Sequence, residues 1–257
     1  AMLTRLGVDT TVADSNEDAL EALAEDYGVA TVSVDSAAQS EFDLVITSPG
    51  WRPDSPLVVA FQNAGVEVIG DVELAYRLDR SGVFGAPRTW LVVTGTNGKT
   101  TTTGMLAQIM QADAERTGKR ALAVGNIGVS LFDALTATPR VDVLCAELSS
   151  FQLHWSSQLR PDVGVLLNLA EDHLDWHGSF DAYAQAKAKV LDGQAAVVGK
   201  DDAAAVRYAE NTANLYGFTA VEPAEGEVGV SAGRLLSRLT QEREDLASAE
   251  GIEPAGL

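Results

Sequence analysis

Short apolar runs rich in β-branched residues recur along this chain, separated by longer Ala-rich stretches of helical character. That alternation constrains the fold more than any other feature. Strands buried on both faces read as continuous apolar runs, and parallel neighbours need a crossover, usually a helix, between them. The pattern therefore predicts an α/β fold with a mostly parallel sheet covered by helices. Expected strands are 10–14, 43–48, 67–71, 89–95, 121–126, 141–148, 163–169 and 195–199; expected helices are 16–27, 56–65, 71–80, 99–117, 179–192 and 201–210. Two glycines and a proline in SGVFGAPRT (81–89) mark a division between a small domain, 1–86, and a larger one, 87–257. The acidic stretch 241–256 reads as a solvated helix followed by a loop.

The strongest local signal is WLVVTGTNGKTTTTGML (90–106), an apolar strand running into a glycine-bearing turn and then a helix opened by Lys and Thr. In such a turn Gly95 and Gly98 let the backbone curl, so that N–H groups of Gly95, Thr96, Asn97, Gly98, Lys99, Thr100 and Thr101 can face phosphate oxygens at a helix N-terminus. Lys99 is placed to hold the β- and γ-phosphates of ATP, and the Thr100 hydroxyl to reach Mg²⁺. The glycines are closer together than in the common G-x-x-x-x-G-K-[ST] loop.

The net charge of −19 repels polyphosphate chains and argues against a nucleic-acid partner, so bound phosphate must be held locally. The lone cysteine, Cys145, lies in the apolar run VDVLCAEL and reads as a small core residue in a reducing compartment. No stretch reads as a membrane span or signal peptide; a cytoplasmic monomer is the expectation.

Two further strand ends carry ligand-type side chains. Glu147 closes the apolar strand before SSFQL, where a carboxylate can help coordinate Mg²⁺ or cap the helix opening near Ser149. After VLLNL come Asn168, Glu171, Asp172, His173, Asp175 and His177; His173 is the better metal candidate, and His177 and His154 read as surface histidines. Asp175 to Gly178 matches the D-x-x-G of GTPase switches, but no N-K-x-D follows. By periodicity alone Asp181, Lys187 and Lys189 form a solvated helix face, and Met105, Leu106, Ile109 and Met110 pack in the core.

Taken together, GTNGKTTTT (95–103), GNIG (125–128), ELSSFQL (147–153), NLAEDHLD (168–175) and YAQAK (183–187) resemble the Mur ligase family, in order and spacing. SPG (48–50) and GDVEL (70–74) resemble the branch that adds D-glutamate to UDP-N-acetylmuramoyl-L-alanine. The resemblance implies a Rossmann-like, UDP-binding first domain and a P-loop-type central domain that form an amide through an acyl phosphate. It also implies that Glu147 and His173 serve magnesium sites with Thr100 and that Asn126, Ser149 and His173 line the muramoyl substrate. Lys187 matches a lysine carbamylated to become an anionic metal ligand, so that Lys99, Lys187 and His173 are the expected catalytic groups. Asp14 and Ser15, with Ser48, Pro49 and Gly50 opposite, match the uridine pocket. A preceding strand with a Gly-rich turn and a following amino-acid-binding domain belong to the family pattern and are absent here, so this chain is expected to be inactive as a ligase by itself. Rival readings are another Mur ligase, a folylpolyglutamate synthetase, or an ATP-binding module that ligates nothing.

Overall fold

A computed structural model describes residues 2–251. The chain divides into two compact units, one ending at Asp71 and the other beginning at Val72.

The first unit contains α1 (Met2–Arg5), β1 (Thr11–Asp14), α2 (Glu17–Tyr27), β2 (Ala30–Ser33), α3 (Val34–Ala37), β3 (Leu44–Thr47), α4 (Pro56–Asn63) and β4 (Glu67–Gly70). Strands β1 and β2 pair in parallel, and so do β3 and β4. Helix α2 starts where Asn16 accepts the Ala19 N–H and stops at Gly28 in the left-handed region, so its ends are set by local chemistry.

The second unit takes α5 (Asp71–Arg80) as its first helix, followed by β5 (Thr89–Thr94), α6 (Lys99–Thr117), β6 (Ala121–Gly125), α7 (Leu131–Thr136), β7 (Val143–Glu147), α8 (Ser150–His154) and β8 (Val163–Leu166). Then come α9 (Leu174–His177), α10 (Phe180–Ala188), a 3₁₀ turn (Lys189–Asp192), β9 (Ala195–Gly199), α11 (Ala203–Ala209), β10 (Leu215–Phe218), β11 (Glu227–Ser231), β12 (Arg234–Ser237) and β13 (Glu244–Ser248). Among the described residues one nine-stranded sheet runs in the order β13-β12-β11-β10-β9-β8-β5-β7-β6. From β6 to β11 every pairing is parallel; β12 and β13 turn antiparallel at the edge. The mostly parallel α/β sheet is thus present. Its core gathers Trp90, Leu144, Leu148, Leu153, Leu166, Tyr183 and Val190, and Cys145 is buried as a core thiol whose pKa burial pushes up to about 12.

Three expectations need correction. Within 241–256 the described part forms β13, an exposed edge strand, where a helix was expected. Charge alone marks a solvated segment without choosing its structure. The choice comes from pairing with β12, reinforced by Arg234 and Asp245 2.7 Å apart. The loop expected at the end of that stretch lies outside the described residues from 252 on. Helix 179–192 is split, continuing past Ala188 only as a 3₁₀ turn, while the Lys189 amine donates to the carbonyls of Leu153, His154 and Ser156. Ile109 is 62% exposed, because α6 buries a stripe of Thr103 and Ala107 flanked by Leu106 and Met110, and residue 109 points off it.

The division between compact units falls one helix before the 86/87 boundary expected from composition. Helix α5 buries Val72, Ala75 and Tyr76, and the Tyr76 ring meets Trp90 edge-on at 5.4 Å. The segment that reads as a linker, 81–89, joins two elements of one core.

Candidate functional site at the carboxyl edge of the sheet

Strand β5 sits where the strand order reverses, with β7 and β6 on one side and β8 onward on the other. Ligands of open α/β sheets bind outside the carboxyl ends of strands at such a point. The loops after β5, β6, β7 and β8 all emerge there and carry Gly95, Asn126, Ser149 and His173, while Lys187 lies on α10.

The loop after β5 is held by the loop after β8. A Cβ on Gly95 would lie 2.9 Å from Leu167 Cβ, so glycine alone fits between the two loops. The Thr96 N–H donates to Asn168 O (3.1 Å), and the Asn97 N–H donates to Asn168 Oδ1 (2.9 Å). Gly98, at φ 81°, then turns the chain into α6. Two of the amides expected to face phosphate are therefore already occupied. The donors left for an anion include that of Gly98 and those of the first turn of α6, at Lys99, Thr100 and Thr101, which lack partners within the helix. Lys99 folds back, its amine donating to Thr96 O at 2.9 Å; Thr100 is exposed.

Glu147 ends β7 on the same rung of the sheet as Val93 and Gly125. It is 1% exposed, its Oε1 accepts from Asn126 Nδ2 at 2.8 Å, and its Oε2 is buried with no partner. The alternative role as helix cap goes to Ser149, whose hydroxyl accepts the Gln152 N–H while the Gln152 side chain accepts the Ser149 N–H. A buried, half-unsatisfied carboxylate is what a cation would complete. Among the described residues no three His, Cys, Asp or Glu side chains converge into a metal cage.

The Asn126–Glu147 contact depends on Gly125. A Cβ there would fall 2.4 Å from Glu147 O, at a φ of 92°. Gly125→Ala should therefore force β6 from β7 and lower the unfolding free energy by about 1–3 kcal/mol, read from urea denaturation. An unchanged midpoint would show that the strand ends can separate freely.

Lys187, which periodicity assigns to a solvated face, is 2% exposed. Its amine donates to Gly95 O at 2.8 Å and to Thr94 Oγ1 at 3.3 Å and lies 5.1 Å from the centre of the Tyr183 ring. Burial, followed by the Lys99 charge, lowers its pKa to about 7 against the opposing pull of Asp172 and Glu147. Asp181, on the same helix, is exposed as expected and accepts from the Tyr208 hydroxyl.

His173 caps α9 in the left-handed region, φ 51°, a strained setting for a residue with a Cβ. Its ring packs 4.7 Å from Phe151, and its Nε2 lies 3.4 Å from an Asp172 oxygen. His177, expected at the surface, stacks on Phe151 at 5.7 Å and 3°, with a buried Nε2 that has no partner. His154 meets Trp155 and Trp176 edge-on and is likewise half-buried. Desolvation first, then nearby positive charge, lowers both pKa values to about 4, so both rings are neutral at pH 7. Tyr183, which the sequence placed inside a motif without a role, sits 2.8 Å from Thr96 Oγ1 through its hydroxyl. Its spacing of four from Lys187 on one helix was the available signal.

The first unit has its own cavity of about 370 Å³ at the carboxyl ends of β1 and β2, lined by Asp14, Ser15, Thr31, Ser33 and Asp35 among others. Ser48, Pro49 and Gly50 follow β3 and are not in that lining.

Residues 93–232 match the Mur ligase middle domain. The chain is 58% identical to UDP-N-acetylmuramoylalanine--D-glutamate ligase of Corynebacterium diphtheriae over 99% of its own length and 55% of that protein's. It is 49% identical to the enzyme of the same name from Rhodococcus jostii, over 99% and 52%. It spans about half the length of these curated relatives. A solved UDP-N-acetylmuramate:L-alanyl-gamma-D-glutamyl-meso-diaminopimelate ligase from Neisseria meningitides shares the fold with a TM-score of 0.52 at 18% identity, covering 96% of this chain and 79% of that one. Among the described residues no helix is long and apolar enough to cross a membrane.

Proposed function

Since this chain belongs to the Mur ligase family, we propose that it supplies the nucleotide-binding and muramoyl-binding part of a cytoplasmic, monomeric ligase that adds D-glutamate to UDP-N-acetylmuramoyl-L-alanine in peptidoglycan biosynthesis. The names of the similar proteins support the substrates. The buried Glu147 carboxylate, with one oxygen held by Asn126 and the other unpaired, carries the reading of the site.

In this reaction an oxygen of the substrate carboxylate attacks the γ-phosphorus of ATP, and the bond to the bridging oxygen breaks to release ADP. The D-glutamate amine then attacks the resulting acyl phosphate, loses a proton, and phosphate leaves. The first turn of α6 presents amides to the phosphates, and the Lys99 amine exchanges the Thr96 carbonyl for them. Thr100, Glu147, His173 and carbamylated Lys187 would hold Mg²⁺, which neutralises phosphate charge when bound. Burial favours the neutral Lys187 amine, the form that reacts with CO₂. Asn126, Ser149 and His173 line the muramoyl-alanine end, with the uridine held by Asp14 and Ser15 and by Ser48, Pro49 and Gly50.

Calorimetry on the chain tests this directly. UDP-N-acetylmuramoyl-L-alanine and Mg²⁺-ATP should bind, while UDP-glucose and a folate should bind far more weakly; Lys99→Ala should weaken ATP roughly ten- to hundred-fold, the loss of a charge-assisted hydrogen bond. Folate binding in preference to the muramoyl nucleotide would overturn the substrate assignment, and ATP binding indifferent to Lys99 would overturn the site.

A further inference from the structure

Asn168 grips one residue of the phosphate loop from both sides. Its Oδ1 accepts the Asn97 N–H at 2.9 Å, and its Nδ2 donates to Asn97 O at 3.1 Å. Its backbone oxygen takes the Thr96 N–H at 3.1 Å. Two residues on, the Ala170 N–H donates to Thr96 Oγ1 at 2.9 Å. The β5 loop thus has its Thr96 and Asn97 N–H groups and its Asn97 carbonyl satisfied by residues 168–170, before any ligand arrives.

This arrangement exceeds what closing a loop needs. Asn97 is exposed, and water could satisfy its peptide groups at little cost. Fixing both of them instead sets the orientation of the peptide that leads to Gly98, whose left-handed φ aims the first turn of α6. The amides of Gly98 and of that turn are the ones left for phosphate, so their direction decides how well an anion is held. The segment that begins at Asn168 runs on to Asp172 and His173, the residues facing one another at 3.4 Å.

We propose that Asn168 is a positioning residue that preorganises the phosphate loop for nucleotide and ties it to the loop bearing His173. The inference rests on the ATP-binding reading above. It concerns a residue that holds the loop and touches no phosphate itself.

The test uses this chain and two substitutions, with ATP affinity by calorimetry, amide hydrogen exchange at Thr96 and Asn97, and thermal unfolding without nucleotide. Asn168→Ala should weaken ATP roughly ten- to hundred-fold, the scale expected of misplaced binding groups. It should also speed exchange at Thr96 and Asn97 while the unfolding temperature moves by only a few degrees. Asn168→Asp is isosteric and keeps the acceptor for Asn97 N–H but sets a carboxylate oxygen against Asn97 O; it should lose at least as much affinity. A parent chain that binds ATP and an Asn168→Ala chain that binds it equally well would overturn the positioning role alone. So would lost affinity with unchanged exchange at both amides. A parent chain that binds no ATP would overturn the nucleotide reading and this inference with it.

Discussion

Alanine in place of Asp79 should lower the unfolding free energy by about 3–5 kcal/mol, the cost of stranding a buried charge. The Asp79 side chain is fully buried and that of Arg88 is 2% exposed. One carboxylate oxygen accepts from Arg88 Nη1 at 2.8 Å; the other accepts the Arg88 N–H and the Trp90 indole N–H, both at 2.9 Å. The remaining guanidinium nitrogens donate to Val141 O and Leu135 O. Without the carboxylate the cation stays in place, held by carbonyls and with no counterion, while two N–H donors lose their acceptor. For a unit of this size the melting temperature should fall by roughly 6–20 °C. A variant that melts with the parent would mean that solvent enters the site and satisfies these groups.

The second large effect concerns pH. In CO₂-free buffer the parent chain should gain stability with rising pH between about 7 and 10.5, and Lys187→Met should lack that gain. The sign follows from proton counts: burial lowers the Lys187 pKa from 10.5 to about 7, so in this window the unfolded chain binds a proton that the folded chain has released. The slope is about 1.4 kcal/mol per pH unit, on the order of 4 kcal/mol over the window. Below pH 7 both states are protonated and the contribution is constant. Urea titrations of the two chains across pH 6–10 measure it; parallel curves would show that the amine keeps its ordinary pKa inside the fold. Bicarbonate bears on the functional proposal, since carbamylation draws on the neutral amine and should grow as pH rises through 7.

Much of the second unit is legible in the sequence. Helix α6 spans Lys99–Thr117 as its pattern implied, opened at Gly98 and closed at Gly118, both in the left-handed region. Strands β5 and β9 start where their apolar runs start. By contrast β2, β10, β11 and β12 are four- or five-residue strands broken by glycine or polar residues. They lack the continuous apolar run that marks the other short strands, and pairing with neighbours defines them. Likewise SGVFGAPRT has the composition of a linker, yet Asp79, Arg88 and Trp90 bind its two ends into one core.

The sequence by itself determined the strand-and-helix alternation and the glycine turn that opens α6, because each rests on residues near one another in the chain, and the family, because several short local motifs occur in one order. Only the tertiary structure decided that Lys187 is a buried amine bonded to Gly95, 92 positions away, and that Asn168 occupies the amides of Thr96 and Asn97, some 71 positions away. It alone left Glu147 Oε2 buried and unpaired. Burial, proton affinity and hydrogen-bond satisfaction depend on which distant segments the sheet brings together, and no local window of sequence contains that information.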